Sequence, residues 1–302
     1  MLSDLRDLVP TLATRDTAAP EEYPAANIAD LMRAGVLSAP FPRAHGGRDL
    51  GLVEATRAVE LVASASASTA LLLTMPMGLA GALTGTASAA PADARDEHAA
   101  QLARVAADYR AGKIYAACNS ERGAGGSLAA TKTTVRRGDD GVLRLDGEKI
   151  LASFGRHADY FFSTAKLADG TVEFFVVDAH GPGVMVLSDW NGFGMRSTES
   201  HSVRLTGAVA REQVGWRNFL EPVRPASWWW CLFAAIPLGC AVSVLSAIGR
   251  PTPQSPALRQ RCSDALMRVE SLRAYLHDTA ARWRPAASPA LDLRMLRTKT
   301  RR

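Results

Sequence analysis

Side chains suited to metal, nucleophilic or proton-transfer chemistry are sparse in this chain, and their spacing narrows what it can do. The four cysteines, Cys118, Cys231, Cys240 and Cys262, form no Cys-x-x-Cys pair and none stands at ligand spacing from a histidine, so no metal centre is expected. The six histidines are scattered, and no Ser-His-Asp arrangement, P-loop or nucleic-acid module can be read. No strand-forming run leads through Gly-x-Gly-x-x-Gly into a helix, which sets aside a Rossmann-type site. Three polar, glycine-bearing stretches stand out instead: Ala117 to Ser127 (ACNSERGAGGS), Leu145 to Ser153 (LDGEKILAS) and Gly192 to Ser200 (GFGMRSTES). Taken alone, Ser120 and Ser153 suit turn or strand-end hydroxyls as well as ligand contacts. His157 and His201, close to these stretches, are expected to be surface-loop residues.

Short strands must hold these stretches. Between about Lys113 and Trp216 lie seven β-forming runs: Ile114–Ala117, Thr131–Val135, Val142–Leu145, Tyr160–Thr164, Val172–Val177, Gly183–Val186 and Ser202–Leu205. Turn signals such as Gly138-Asp139-Asp140-Gly141 and Gly181-Pro182-Gly183 separate them. Strands at this spacing predict a small barrel or sandwich. Before them the pattern is helical, with Ile28-Leu31-Met32 and Val53 through Val62 at helical spacing around a Pro- and Gly-rich loop, Pro40 to Gly51. After them, Ala226–Ile248 forms one helix. A second runs from about Leu258 to Trp283, with Leu266, Val269, Leu272 and Leu276 on one face, and a third begins at Leu291. The expected fold class is α+β: an N-terminal all-helical domain over 1–112, a middle antiparallel β-barrel or sandwich over 113–216, and an incomplete C-terminal helical bundle over 217–302.

Composition agrees with a folded chain. Of 302 residues, 47% are hydrophobic and 22% charged, outside the disordered range. The net charge of +5 comes largely from the terminal Arg294, Arg297, Lys299, Arg301 and Arg302, so no nucleic-acid partner is expected. The N-terminus has acids and no apolar signal core, which predicts a cytoplasmic protein with reduced thiols. Two uncharged stretches, Leu61 to Ala92 and Ala226 to Gly249, are long enough to be weighed as membrane spans. The first is diluted by Ser, Thr, Gly and Pro and reads as two buried helical pieces. In the second, Trp228-Trp229-Trp230 looks like an interfacial belt, but the central helix of a buried bundle is the preferred reading, and no membrane partner is expected.

Helices, then a β domain, then helices is the layout of the acyl-CoA dehydrogenase family, and the three polar stretches resemble that family's motifs in order. The loop before Gly51 and Ala158-Asp159 fit as well. The resemblance implies FAD as cofactor. Cys118, Asn119 and Ser120 would present amides and a hydroxyl to the flavin edge, and Gly125 and Gly126 would let the backbone approach its pyrophosphate. Leu151, Ala152 and Ser153 would meet the ring, Leu151 standing where many members place a Trp and Ser153 donating a hydrogen bond. Ser127, Arg196 and Ser200 would lie near an acyl-CoA substrate. The implied activity is oxidation of an acyl-CoA thioester at Cα–Cβ, which needs a carboxylate base. Family members usually supply that Glu beyond the region corresponding to this chain; a second placement falls on the helix Ala226–Ile248, where this sequence has Trp229. Glu221 lies in the preceding loop, so no base is assigned. Gly249-Arg250-Pro251 replaces the family's R-x-x-F-G. The alternatives are a flavin-dependent monooxygenase of the same fold, which needs no such base, and a shortened, non-catalytic homologue. The family's assembly implies a homo-oligomer, a dimer or tetramer.

Overall fold

A computed structural model describes residues 1–124, 127–223, 228–248 and 255–283. Five helices come first: α1 (Leu2–Ala18), α2 (Ala25–Arg33), α3 (Leu52–Ala63), α4 (Ala67–Thr86) and α5 (Arg95–Arg110). Seven strands follow: β1 (Tyr115–Ala117), β2 (Thr134–Arg137), β3 (Leu143–Ala152), β4 (Tyr160–Lys166), β5 (Val172–Asp178), β6 (Val184–Val186) and β7 (His201–Gln213). A single turn, α6 (Leu220–Val223), leads to α7 (Trp228–Ile248) and α8 (Pro256–Arg282). The helix expected from Leu291 and the arginine-rich tail lie outside the described residues.

All seven expected strands are present, but β3 and β7 run well past the apolar runs that announced them. Polar residues are admitted because each strand buries one face only. Strands β4, β2, β3, β7 and β5 pair in sequence, and β5 returns to β4, closing a barrel that leaves no open edge among these five. The sheet is not purely antiparallel: β1 pairs parallel to β4 with Ala116 opposite Phe161, and β2 meets β4 in parallel at Thr134 and Lys166. These two pairs correct the antiparallel expectation. Both join strands separated by long crossovers, as parallel neighbours require.

Neighbouring phenylalanines on β4 and β5 point to opposite faces, as strand geometry demands. Phe161 and Phe175 fill the barrel, while Phe162 and Phe174 turn to the helices and stack at 4.7 Å. Phe162 also stacks on Trp229 of α7 at 5.5 Å. On its other side, Trp229 lies where a Cβ on Gly78 of α4 would come within 2.1 Å of the indole. Trp228 occupies the same relation to Gly81, and Trp283, just past α8, to Gly85. Positions 78, 81 and 85 share one face of α4, so a glycine seam receives three indoles and draws α7 and α8 onto α4. Only Trp230 of the tryptophan run is exposed.

By length and composition, α4 and α7 could each cross a membrane. The seam gives the tryptophans a different role, because two of three are packed between helices rather than displayed in a belt. The stretch Leu61 to Ala92 holds the end of α3 and one continuous helix, α4, which carries Pro76 within it. The apolar face expected on α8 is only partly covered. Val269 and Leu276 are buried, whereas Leu266 and Leu272 are about half exposed. Each of the latter is offset from Val269 by about 60° around the helix, to opposite sides.

Candidate active site

The first and second polar stretches meet along the barrel wall. Ile150 N–H donates to Ser120 O at 2.8 Å, an isolated bridge that fixes the segment following β1 beside β3. Cys118 is then committed to structure: its N–H donates to Phe162 O at 2.8 Å, and its carbonyl accepts from Ser163 Oγ at 2.8 Å. Burial also pushes its thiol up to about 12. The amide expected from Cys118 for a ligand is therefore already spent. Asn119 uses its side-chain oxygen on Thr164 N–H at 2.7 Å. Ser120 is half-buried, Ser127 exposed, and Gly125 and Gly126 lie outside the described residues.

Glu121 and Lys149, motif residues to which no role was given, form the barrel's internal ion pair. Lys149 shares a strand face with Leu145, four residues earlier, and so points inward. Its Nζ, fully buried, lies 2.7 Å from Glu121 Oε1 and 2.7 Å from Thr164 O. Glu121 also accepts from Lys132 N–H at 2.6 Å and from Thr133 Oγ1 at 2.7 Å. Burial alone would raise this carboxyl, but Lys149 and the other donors outweigh it and bring it down to about 2. With every neighbour bound, the pair is a structural clamp. The signal in the sequence was a lysine at an inward strand position, which is tolerated only with a partner.

The second and third stretches interlock. Three steps along β3, from Lys149 to Ala152, oppose two along β7, from Val203 to His201, so β3 carries a bulge. The bulge puts Leu151 at φ 57° with its side chain 52% exposed. Ala152 is fully buried beside it. Ser153, three residues past Ile150, turns its buried Oγ to Ser200 Oγ at 2.9 Å, and Ser200 continues to Thr198 Oγ1 at 2.7 Å. Phe154 N–H ties the backbones together through Thr198 O at 3.0 Å. Phe154, Met195 and Glu199 also have positive φ, so strain gathers where the two stretches touch. Ser197 Oγ is buried there without a hydrogen-bond partner.

Arg196 parts from Ser200. Its guanidinium pairs with Glu21, from the α1–α2 linker, at 3.3 Å on the rim of a cavity of about 140 Å³. His201 forms part of that lining and is buried, contrary to the surface position expected. Its Nδ1 accepts from Trp190 N–H at 2.8 Å, which leaves Nε2 to donate to Glu199 at 3.2 Å. His157 does lie at the surface, stacked on Tyr23 at 3.7 Å.

Trp229, at the helix position where a base was sought, is held in the seam, and Glu221 lies on the α6 turn. No group of three metal-ligating side chains comes together among the described residues. What remains is a buried group of neutral hydroxyls, Ser153, Ser197 and Ser200, with an exposed apolar residue, Leu151, on the neighbouring bulge. Such a set suits an uncharged, flat group that offers both donors and acceptors. Leu151 carries a left-handed conformation that glycine adopts without strain. Leu151→Gly is therefore expected to raise stability by about 1 kcal/mol, read as a higher denaturant midpoint; a lower midpoint would mean that the side chain is packed rather than displayed.

Comparison with known proteins gives consistent matches. The acyl-CoA dehydrogenase N-terminal domain model matches residues 6–106 and the middle domain model residues 116–208. YdbM of Bacillus subtilis, whose name places it among the acyl-CoA dehydrogenases, is 25% identical over 277 residues, spanning 85% of this chain and 70% of YdbM. The chain spans 39% to 50% of the length of three further curated relatives. Among solved structures, FMN-bound TdsC from Paenibacillus sp. A11-2 superposes with a TM-score of 0.77 at 20% identity, covering 93% of this chain and 76% of TdsC. Butyryl-CoA dehydrogenase from Megasphaera elsdenii gives 0.78 at 20% identity, covering 93% and 78%. At these identities the superpositions establish a shared fold.

Proposed function

The chain belongs to the acyl-CoA dehydrogenase family, and from that membership we propose that it is a flavin-dependent oxidoreductase, with FAD as the flavin and an acyl-CoA thioester, oxidised at Cα–Cβ, as the substrate. The observation that carries this reading is the contact between Ser153 and Ser200, which joins the second and third motif stretches beside the bulge that displays Leu151. The residues fit the cofactor. An isoalloxazine edge alternates acceptors and donors, which neutral hydroxyls can satisfy without the cost of burying a charge. When bound, the flavin supplies two-electron redox chemistry. Ser153 would hold the ring edge together with Ser200, whose bond to Ser153 moves it to the flavin from the acyl-CoA role expected of it; Ser197 would offer the hydroxyl left unpaired, and Leu151 would pack against the ring in place of an aromatic residue. Ser120, three residues past β1 and bridged to Ile150 of β3, is proposed for the flavin edge as well. Gly125 and Gly126 are proposed for the pyrophosphate, and Ser127 and Arg196 for the acyl-CoA. The exposed Trp230, Val244 and Leu272 on α7 and α8 support assembly into a homo-oligomer.

Removal of an α-proton needs a carboxylate within reach of the substrate. Trp229, immobilised between Gly78 and Phe162, provides none from that turn of α7. This favours a second reading, oxygen activation by the same flavin; TdsC, which shares the fold, is described as a dibenzothiophene monooxygenase. Two assays on the flavin-loaded protein separate these readings. The first reading predicts acyl-CoA-dependent reduction of an artificial electron acceptor. Oxygen consumption with reduced flavin, without acyl-CoA turnover, would replace it with the second. Neither activity in a flavin-loaded protein would leave a non-catalytic scaffold.

A further inference from the structure

A second cavity, of about 330 Å³, opens between α1, α3, α7 and α8, and none of its lining residues belongs to the three motif stretches. Its volume is at the lower end for small-molecule sites. Charge on its wall is lopsided. Arg6 of α1, Arg57 of α3 and Arg273 of α8 face a single carboxylate, Glu60. Glu60 is already committed, since Arg273 Nε lies 2.7 Å from its Oε1. Arg273 also reaches Glu270 on its own helix. Arg6 and Arg57 have no carboxylate within ion-pair distance among the described residues.

His277 completes the polar wall. Its Nε2 is buried without a hydrogen-bond partner, 3.8 Å from Glu60 Oε2. Burial, then the neighbouring Arg57, lowers its pKa, so near neutral pH the ring adds no charge but can offer an N–H. Leu2, Leu61 and Val242 make the apolar part of the wall, and Ser64 beside them spends its hydroxyl on Leu61 O at 2.7 Å. Close approach of α7 to α3 sets this floor, because a Cβ on Gly239 would come within 2.2 Å of Glu60 O.

Two unpaired guanidiniums and an orphaned imidazole nitrogen above an apolar floor call for an anionic head with a hydrocarbon end. We propose that this cavity binds a small organic anion, a carboxylate or phosphate monoester carrying a short apolar chain. Arg6 and Arg57 hold the head, His277 contributes an N–H, and Leu2, Leu61 and Val242 receive the chain. A cation is disfavoured by the surplus of guanidinium, and a bare inorganic anion leaves the floor uncovered.

Calorimetric titration of the full chain with butanoate, butyl phosphate, inorganic phosphate and butylamine tests it. Butanoate or butyl phosphate is expected to bind one to one, and the tighter of the two identifies the head group. Inorganic phosphate should bind at least about tenfold more weakly, and butylamine not at all. Arg57→Gln, on an exposed side chain, should weaken the organic anion about tenfold, the loss of one charged hydrogen bond. In the unaltered protein, the His277 ring resonances should shift on titration. No binding at millimolar concentration, equal affinity for inorganic phosphate, an unchanged affinity in Arg57→Gln, or a His277 ring that does not respond would each overturn the proposal.

Discussion

Lys149→Met is expected to remove about 3–5 kcal/mol of folding stability at neutral pH, because it leaves the Glu121 carboxylate buried without its counter-charge. The methionine fills similar volume, so the loss isolates charge from packing. The pH dependence follows from Glu121. Its folded pKa is depressed from an ordinary value near 4.5 to about 2. The stability it contributes is therefore fully present above about pH 4.5 and disappears as pH falls through about 2. In the Lys149→Met protein the lysine no longer holds the carboxyl down, so it takes up a proton at a higher pH. The gap in denaturant midpoint between the two proteins should be wide at pH 7 and narrow toward pH 3. A gap that does not change with pH would mean that Lys149 acts through its hydrocarbon stem alone.

The second large effect is expected at the seam between helices and barrel. Trp229→Ala should cost about 3–5 kcal/mol, the range for truncating a buried aromatic side chain where neighbours cannot collapse. Collapse is blocked here because Gly78 sits within the buried helix α4 and Phe162 on a paired strand. Gly78→Ala pushes a methyl into the indole from the other side and should cost about 1–3 kcal/mol. Combined with Trp229→Phe, the same alanine should cost less than in the unaltered protein, a coupling measurable by a double-mutant cycle. Additive costs would show that the two residues are not in contact. Trp229→Glu should destabilise rather than supply a base, since its carboxylate would enter a buried seam beside Gly78 and Phe162, with no cationic partner there among the described residues.

The β domain was largely legible in the sequence because its strands alternate or run apolar between turn residues, and each such run became a strand. Legibility stopped where information is not local. Trp228 and Trp229 look like a membrane belt until the glycines that receive them are found on α4, about 150 residues earlier. The length of β3 was hidden by Asp146, Glu148 and Lys149, and the inward turn of Lys149 makes sense only with Glu121 opposite. Leu266 and Leu272 were assigned to the buried face of α8 by spacing, although they flank that face. At the candidate site the motif residues were visible, but their division of labour was not. Cys118 looked available for a ligand, whereas β1 pairing consumes its amide. Ser153 and Ser200, 47 residues apart, meet through the register of β3 and β7. The strain at Leu151 follows from a one-residue bulge that no propensity reports.

Flavin binding beside Ser153, Ser200 and Leu151 is the proposal on which the functional reading rests. Its most direct test is an absorbance titration of the purified full chain with FAD, with FMN in parallel, on the unaltered protein and on Ser153→Ala. Saturable, stoichiometric binding of FAD with a perturbed flavin band is expected. Affinity should be several-fold lower in Ser153→Ala, as the loss of one neutral hydrogen bond of about 1 kcal/mol requires. A folded protein that takes up neither flavin, or a Ser153→Ala protein that binds FAD as tightly as the unaltered chain, would contradict it.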